Sequence, residues 1–270
     1  MGRPLWFVEL MKKLYKNRNL LAKLTKLPIL GDIIEKTAFE NDDIICLPKD
    51  QAVIQINKAL DVRETVLPSQ IVEHFINKAS FHWIMGFCIC RESNKCKDYP
   101  RNLGCLFLGE AAKGINPKLG RSVTKEEAIA HANKCREAGL VYFIGRVKFD
   151  SIWLGVKPEE KLLTICNCCP CCCISGGLKY LAPQIAEKYT KMPGVQIRVS
   201  DRCKGCGTCA DICFLDAIRI VNKRAVISQI CRGCGRCIDA CPQNAIELTI
   251  TDDQFLEKTI NRISEHVDVT

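Results

Sequence analysis

The chain reads Cys203-Lys-Gly-Cys206-Gly-Thr-Cys209-Ala-Asp-Ile-Cys213 and, 28 residues later, Cys231-Arg-Gly-Cys234-Gly-Arg-Cys237-Ile-Asp-Ala-Cys241-Pro242. Both stretches have the pattern C-x2-C-x2-C-x3-C. Glycines recur at matching positions as well, namely Gly205, Gly207, Gly233 and Gly235. Glycine lets the backbone turn tightly and brings N–H groups close to sulfur. The repetition indicates two copies of one small unit built around thiols.

The eight cysteines of this repeat have the spacing of iron–sulfur ligands. Three thiolates so spaced can bind three irons of one cubane, and the fourth cysteine reaches the other cluster. Zinc favours two well-separated cysteine pairs, and disulfides need no duplicated glycine pattern. We therefore predict two [4Fe-4S] clusters. The expected ligands are Cys203, Cys206, Cys209 and Cys241 for cluster one, and Cys231, Cys234, Cys237 and Cys213 for cluster two.

The repeat resembles the bacterial two-cluster ferredoxin domain over about 55 of the 270 residues. In that family a proline follows the fourth cysteine of each motif. Pro242 follows Cys241 here, whereas Phe214 follows Cys213. This departure keeps all the ligand cysteines, but the conformation of the turn after Cys213 is not predicted by the family pattern. The resemblance implies a ferredoxin-like βαβ repeat domain with two [4Fe-4S] clusters over residues 195–250.

The number of cysteines also indicates the redox environment of the protein. Twenty cysteines in 270 residues is far above ordinary usage. Glu9 interrupts the only early apolar run, so no secretory signal is visible, and no stretch approaches the ~18 apolar residues of a membrane span. We therefore expect a cytoplasmic, reducing compartment in which thiolates bind metal. So many sulfur ligands also suggest an anaerobic or microaerobic host.

The formal net charge of +9 is concentrated at the N-terminus, because residues 1–31 alone carry a net +6. Apolar residues recur there with helical spacing over 7–14 and again over 20–27, which predicts a basic amphipathic helix or helix pair that breaks near Pro28. Such a segment can pack on its own domain with a solvated basic face. It can also dock on the inner face of an anionic membrane or on a partner subunit.

Residues 32–194 are predicted to form a cysteine-rich α+β module, which places the whole chain in the α+β class. Residues 32–80 look α-rich, and Pro68 begins a helix with a clear apolar stripe. Thr124 and Glu127 form a capping box for a helix that ends at Gly139. Short apolar runs predict strands at 83–87, 140–149, 152–156 and 162–165. A short helix or strand is expected at 54–60 and a charged helix at 183–192.

The C-terminal region has its own local signals. Residues 217–221 and 225–227 predict a hairpin around Asn222-Lys223, and residues 245–250 predict the matching strand of the second half. The tail, 251–270, contains an amphipathic helical stretch that is expected to pack back on the protein.

Ten further cysteines occur in two groups within the module. They are Cys88, Cys90, Cys96 and Cys105, and then Cys166, Cys168, Cys169, Cys171, Cys172 and Cys173. No hydrophobic core needs so many thiols, and a reducing compartment disfavours disulfides between them. A [4Fe-4S] cluster takes four ligands, so ten thiols suffice for two clusters or for one of larger nuclearity. We predict an additional iron–sulfur centre in the module, with zinc as the alternative.

Alternation along a strand predicts how the second group divides. We expect Cys169, Cys171 and Cys173 to converge on one side, with Cys166, Cys168 and Cys172 turned elsewhere by Pro170. Arg91 is expected either to donate to thiolate sulfur or balance a cluster's charge, or to be a surface arginine or salt-bridge partner. His131 and Cys135 lie one helical turn apart and can bind a metal together, but packing in the core is the expectation.

These cysteine groups, placed before the ferredoxin repeat, resemble a group of poorly characterised four-iron ferredoxin-like proteins of anaerobic bacteria and archaea. The matching features are Phe-Cys-Ile-Cys-Arg at 87–91, Cys96, Cys105, the helix and exit over 126–141, and the run at 166–173. The resemblance covers roughly residues 68–250. It implies iron–sulfur content, and the group offers no agreed reaction to carry over.

Electron transfer is the leading functional hypothesis. The two clusters would relay low-potential electrons to or from an additional metal centre or a partner oxidoreductase, so a redox partner protein is expected. The alternative is a reductase whose module holds a catalytic cluster acting on a small molecule, with Arg91, Lys95 or His82 positioning an anionic substrate. Dinucleotide, P-loop and zinc-protease motifs are missing.

A nucleic-acid partner is not expected. Helices at 68–80 and 124–138 followed by a hairpin have the order of a winged helix. The second helix, however, carries Glu126, Glu127 and Glu137, which form a poor surface for phosphate.

Overall fold

The computed structural model describes residues 2–50 and 67–270. The α-helices are α1 (Leu5–Tyr15), α2 (Arg18–Leu24), α3 (Leu30–Ile34), α4 (Ser69–Lys78), α5 (Ile89–Ser93), α6 (Lys125–Glu137), α7 (Lys148–Leu154), α8 (Pro183–Ala186), α9 (Thr208–Asp211), α10 (Arg236–Asp239) and α11 (Phe255–His266). The strands are β1 (Asp43–Cys46), β2 (His82–Met85), β3 (Leu106–Leu108), β4 (Gly120–Ser122), β5 (Val141–Arg146), β6 (Leu163–Cys168), β7 (Tyr189–Lys191), β8 (Val195–Val199), β9 (Ile218–Val221), β10 (Arg224–Ile227) and β11 (Ile246–Ile250). The element predicted at 54–60 lies outside the described residues.

Seven strands form the central sheet of the module, in the order β4-β2-β3-β6-β5-β1-β7. Neighbouring strands are antiparallel except β1 and β7, which are parallel. The mixture of helices and strands confirms the α+β class. In the register of β3 with β6, Leu106 lies opposite Ile165. The residues just outside that pair, Cys105 and Cys166, are therefore brought together at the end of β3.

The two faces of the sheet are covered by different helices. Successive side chains of a strand point to opposite faces, so Leu106 and Leu108 pack with α4, α6 and α11. Phe107 points the other way and packs with α1 and α7. Full burial of one such side chain contributes roughly 2 kcal/mol, so both layers stabilise the sheet.

Several predicted elements are confirmed. The Thr124 hydroxyl accepts a hydrogen bond from the Glu127 N–H at 3.2 Å, and the Glu127 carboxylate accepts one from the Thr124 N–H at 2.9 Å, which completes the capping box of α6. Gly139 follows the helix with a φ of 76°, a value that favours glycine. The helix after Pro68 and the strands at β2 and β6 also form as expected.

Three local predictions are wrong. The strand expected at 152–156 is the end of helix α7, where Trp153 and Leu154 are buried at helical spacing. The charged helix expected at 183–192 stops at Ala186, and β7 follows because its backbone pairs with β1. Strand β1 itself lies in a region expected to be α-rich. Because helix α7, and not a second strand, follows β5, no hairpin comes directly after α6. The order of elements in a winged helix is therefore not found within the described residues 67–270.

The C-terminal elements form two small antiparallel pairs, β9 with β10 and β8 with β11. Asn222 and Lys223 both have positive φ, 49° and 59°, as a tight two-residue hairpin turn requires. Helix α11 then returns to the module, where Ile263 is buried in the core beneath the sheet. Its Arg262 donates to Asp43 of β1 at 2.7 Å.

Candidate metal centres

The two halves of the cysteine repeat have the same backbone geometry at matching positions. Gly205 and Gly233 have φ values of 66° and 69°, and Gly207 and Gly235 have values of 89° and 82°. Helices α9 and α10 also begin at matching positions, Thr208 and Arg236. A side chain at Gly205 would place its Cβ 2.5 Å from the Lys223 carbonyl carbon. All four positions therefore require a positive φ, and at Gly205 there is also no room for a side chain.

Backbone N–H groups point at thiol sulfurs in both halves. The Ala217 N–H donates to Cys213 Sγ at 3.3 Å, and the Ala245 N–H donates to Cys241 Sγ at 3.3 Å. Cys203 accepts from Ala225 N–H at 3.4 Å. Hydrogen bonds of this kind stabilise negative charge on sulfur. They suit thiolates that carry a metal cluster.

The four cysteines assigned to cluster one line a single pocket at the surface. Three come from the first motif, and Cys241 comes from the second, as the crossed assignment requires. Cys206 is exposed, whereas Cys209 is buried. Ile220 and Ile246 form the apolar part of the wall.

The four cysteines assigned to cluster two lie deeper and against the module. Burial raises the pKa of the Cys237 thiol, and Cys234, Cys231 and Cys213 raise it further. Phe214, which replaces the family's proline, packs edge-on against Phe143 of β5 with ring centroids 6.4 Å apart. Phe214, the residue that departs from the ferredoxin pattern, thus forms a contact between the repeat and the central sheet.

Ten of the module's twelve thiols form two groups. We call Cys96, Cys169, Cys171 and Cys172 the outer quartet; their Sγ atoms all lie within 4.8 Å of one another. We call the remaining six the inner thiol group, namely Cys88, Cys90, Cys105, Cys166, Cys168 and Cys173. In each group, residues near 88–105 meet residues of 166–173 that lie far along the chain.

This division corrects the alternation expected along 166–173. Strand β6 ends at Cys168, so the alternation of a strand does not extend beyond it. The chain turns at Pro170, and Cys169, Cys171 and Cys172 share the outer quartet. Cys173 instead returns to Cys168, with 2.9 Å between their sulfurs.

Four of the six inner thiols are buried, and Cys105 and Cys166 are half-buried. The sulfurs of Cys105 and Cys166 lie 3.7 Å apart, as the register of β3 and β6 requires. Hydrogen bonds with Cys173 and Cys88 raise the pKa of the Cys90 thiol, and burial raises it further. Hydrogen bonds with Cys168 and Cys90 lower the pKa of Cys173. The group is a row of interacting sulfurs rather than a tight quartet.

Arg91 joins the two segments that carry the thiols. Its side chain is fully buried, and its guanidinium donates to the carbonyl oxygens of Pro100 at 2.8 Å, Asn167 at 2.7 Å, and Leu103. Although burial lowers the pKa of Arg91, the surrounding thiols, Cys88 first, raise it overall. Arg91 is neither a surface residue nor a direct sulfur donor. It positions the thiol-bearing segments through their backbone.

A cavity of about 360 Å³ adjoins the inner thiol group. Helices α1 to α3 cover it, and α7 supplies Trp153 and Asp150 to its wall. Burial raises the pKa of Asp150 to about 6. No residue pattern predicts this cavity, because apolar residues of an amphipathic helix predict only packing. Neither Lys95 nor His82 lines it.

His131 and Cys135 do not join either thiol group. The Cys135 sulfur lies 3.6 Å from His131 Nε2, which also bonds the Gly104 carbonyl at 3.0 Å. Both residues are buried, as the packing interpretation expects. His82 likewise bonds the Ile76 carbonyl at 2.7 Å through Nε2.

Comparison with known families identifies the C-terminal region. Residues 197–219 and 225–247 each match the 4Fe-4S binding domain family. The two matched segments contain all eight cysteines of the repeat, so this region is a ferredoxin-type iron–sulfur domain. No curated protein and no solved structure matches the chain. Within the described residues, no helix is both long and apolar enough to span a bilayer.

Proposed function

We propose that the chain, an iron–sulfur protein by its C-terminal domain, relays low-potential electrons between a redox partner protein and an additional metal centre in its module. Cluster one would be held by Cys203, Cys206, Cys209 and Cys241, and cluster two by Cys231, Cys234, Cys237 and Cys213. Each cluster, when bound, supplies one-electron chemistry at low potential. The protein's part is to hold the thiolates rigidly and to direct N–H groups at them.

The positions of the two ligand sets support an order for the relay. Cluster one's pocket lies at the surface, and its Cys206 is exposed. Three of cluster two's ligands, Cys213, Cys231 and Cys234, pack against the core that contains the module's thiols. Electrons from a partner would therefore enter or leave at cluster one, and cluster two would face the module.

Rigid contacts between the domain and the module favour such a relay. The Arg236 guanidinium donates to the Gly139 carbonyl at 3.1 Å and to the Cys168 carbonyl. Arg236 belongs to the second motif, and Cys168 belongs to the inner thiol group. The hydrogen bond from Arg236 to the Cys168 carbonyl thus connects the second cysteine motif to the backbone of the inner thiol group.

The additional centre is best assigned to the inner thiol group. Four thiolates around one tetrahedral ion with bonds of about 2.3 Å lie about 3.8 Å apart, and the outer quartet, within 4.8 Å, is close to that spacing. A cubane separates its thiolates further, since irons and sulfides lie between them. The outer quartet therefore suits one iron or zinc ion. An iron–sulfur cluster in the inner group would use thiols that are not neighbours in the row, since Cys168 and Cys173 are only 2.9 Å apart.

Metal counting on anaerobically purified protein tests this assignment. Two ferredoxin clusters alone give about eight irons and eight sulfides per chain. We expect about twelve irons, about twelve sulfides and one further metal ion. EPR spectra at graded potentials should show a signal beyond those of the two ferredoxin clusters.

Single substitutions separate the sites. Cys105→Ser should remove about four irons and the additional signal, whereas Cys171→Ser, at an exposed thiol, should remove only the single ion. Cys135→Ser is the matched control, because Cys135 is a buried thiol outside both groups. Eight irons in the parent chain, with no change in Cys105→Ser, would overturn the additional centre and leave the ferredoxin relay in place.

One observation favours a second candidate, a reductase acting on a small molecule. A cluster held by the six inner thiols would occupy the part of the cavity beside them, yet the cavity extends further, to Leu14 and Leu21 at the surface. A centre there would be open to a substrate, with electrons arriving through the ferredoxin domain. Reduction of added small molecules by the electron-loaded chain, lost in Cys105→Ser, would distinguish the reductase from a relay.

A further inference from the structure

The cavity beside the inner thiol group has the character of a ligand site. Cores are packed as densely as organic crystals, with few voids larger than one water, whereas small-molecule sites typically have about 300–1,000 Å³. The volume here is about 360 Å³. Apart from the thiols, the wall is formed mainly by apolar side chains such as Leu14, Phe143 and Trp153.

Four residues that line the cavity carry a buried polar side-chain atom without a hydrogen-bond partner among residues 2–50 and 67–270. These atoms are Arg18 Nε, Asp150 Oδ2, Asn167 Oδ1 and Ser175 Oγ. A buried polar group without a partner is costly. Arg18 Nε can donate, Asn167 Oδ1 can accept and the Ser175 hydroxyl can do both, so this set could engage a hydroxyl or a carbonyl.

The mouth of the cavity is lined by helices α1 and α2. Leu14 and Leu21 line the cavity and are also 40% and 42% exposed. An apolar molecule can therefore pass from the surface to the thiols along apolar side chains. The outer quartet contributes no lining residue.

We propose that this cavity binds an apolar organic molecule with one hydroxyl or carbonyl end, in contact with the inner thiol group. The inference rests on the proposed reductase function and specifies its substrate class. It replaces the anionic substrate considered from the sequence, because none of Arg91, Lys95 and His82 lines the cavity.

Equilibrium dialysis of the full chain, purified anaerobically, against 1-naphthol and naphthalene tests the cavity. We expect one saturable site per chain and tighter binding of 1-naphthol. Leu21→Trp should block the mouth and weaken binding at least tenfold. Leu20→Trp is the matched control, because Leu20 is the adjacent residue, is 62% exposed and does not line the cavity. Arg18→Met should reduce the preference for 1-naphthol at least fivefold.

The outcomes separate this inference from the function on which it rests. Equal binding by Leu21→Trp and Leu20→Trp, or no saturable binding at all, overturns the cavity site whatever the iron content. Saturable binding together with eight irons in the parent chain supports the cavity and overturns the additional centre beside it.

The outer surface of the same N-terminal helices carries a second, independent inference. Ten of the fourteen exposed large apolar residues recorded for the described chain lie between Leu5 and Ile33, and Trp6 and Ile29 are 68% and 75% exposed. Lys13, Lys16, Lys23 and Lys26 are exposed in the same segment. A solvated basic face alone would not expose so many large apolar residues.

We infer that this surface docks on an anionic lipid bilayer. Helices that lie in the headgroup region combine large apolar residues with lysines and an interfacial tryptophan. The net +6 of residues 1–31 complements anionic headgroups. The long apolar stems of lysine also let the charge reach the headgroups while the helix lies deeper.

Cosedimentation with vesicles of phosphatidylglycerol and phosphatidylcholine tests this docking. We expect binding that weakens with salt, little binding to pure phosphatidylcholine vesicles, and at least tenfold weaker binding of Lys13→Glu/Lys16→Glu. Lys118→Glu/Lys125→Glu is the matched control at exposed lysines elsewhere. Equal loss in both double variants, or no binding to anionic vesicles, overturns the inference and leaves a protein partner for this surface.

Discussion

The ferredoxin repeat and the module both gather thiols, but they do so in opposite ways. In the repeat, eight thiols fall between Cys203 and Cys241, and glycines set the local turns. In the module, Cys90 and Cys173 interact across more than eighty residues of chain, because a seven-stranded sheet and one buried arginine bring their segments together. A local site depends on turn chemistry, whereas a non-local site depends on the core that aligns its parts.

The largest expected effect is on the non-local site. Arg91→Met would remove three hydrogen bonds from a charged guanidinium to carbonyl oxygens, and hydrogen bonds to charged groups contribute about 1.5–3 kcal/mol each. We expect a loss of at least about 3 kcal/mol in the free energy of unfolding and loss of the module's metal. Denaturant unfolding and iron counting measure both.

The exposed Arg101 provides the control for that substitution. It pairs with Glu92 at 3.6 Å near the surface, so Arg101→Met should cost less than about 1 kcal/mol. Retention of the module's metal in Arg91→Met would contradict the role of Arg91 as the residue that aligns the two segments.

The local site should respond to a glycine. Gly205→Ala forces a β-carbon against the Lys223 backbone and requires a left-handed conformation at φ 66°. We expect loss of cluster one's EPR signal, with the module's metal retained. Gly207→Ala shares the positive φ but meets nothing within 4 Å, so it should cost only about 1–2 kcal/mol and keep the signal.

A buried carboxyl should make the module, rather than the repeat, sensitive to pH. Burial raises the pKa of Asp42 to about 7, and nearby Asp150 raises it while the Lys148 N–H, Lys188 and Arg146 lower it. Because the folded-state pKa lies above the unfolded value, the contribution of Asp42 to stability is fully present below about pH 4 and is lost as pH rises through 7.

Asp42→Asn removes that titration. The variant should unfold with the same free energy as the parent below about pH 4, and should exceed it by at least about 1 kcal/mol at pH 8, since a change of one in pKa corresponds to about 1.4 kcal/mol. Denaturant midpoints across this pH range measure the difference. A constant difference at all pH values would exclude Asp42 as the source.

The smallest expected effect is at a helix end far from either thiol system. Thr124→Ala removes the N-cap of α6 and should cost about 1 kcal/mol, without change in metal content. Ser122→Ala, at an exposed residue two positions earlier, should be close to neutral. Loss of metal in Thr124→Ala would mean that α6 controls the thiol arrangement, which the comparison does not expect.

Prediction from sequence succeeded where the governing interactions are local. The capping box at Thr124, the hairpin at Asn222-Lys223 and the cysteine repeat each depend on residues within a few positions of one another. It failed at α7, because an apolar run of five residues fits a strand or a buried helix equally well. It failed at 166–173 because a turn at Pro170 replaced the alternation of a strand.

The sequence by itself determined that this protein carries a ferredoxin-type iron–sulfur domain, because ligand spacing and glycine turns are written in adjacent residues. Only the tertiary structure decided how the ten clustered thiols of the module divide and which of them adjoin the cavity. The reason is physical: sheet register and the burial of Arg91 set those distances, and both depend on contacts between residues far apart in the chain.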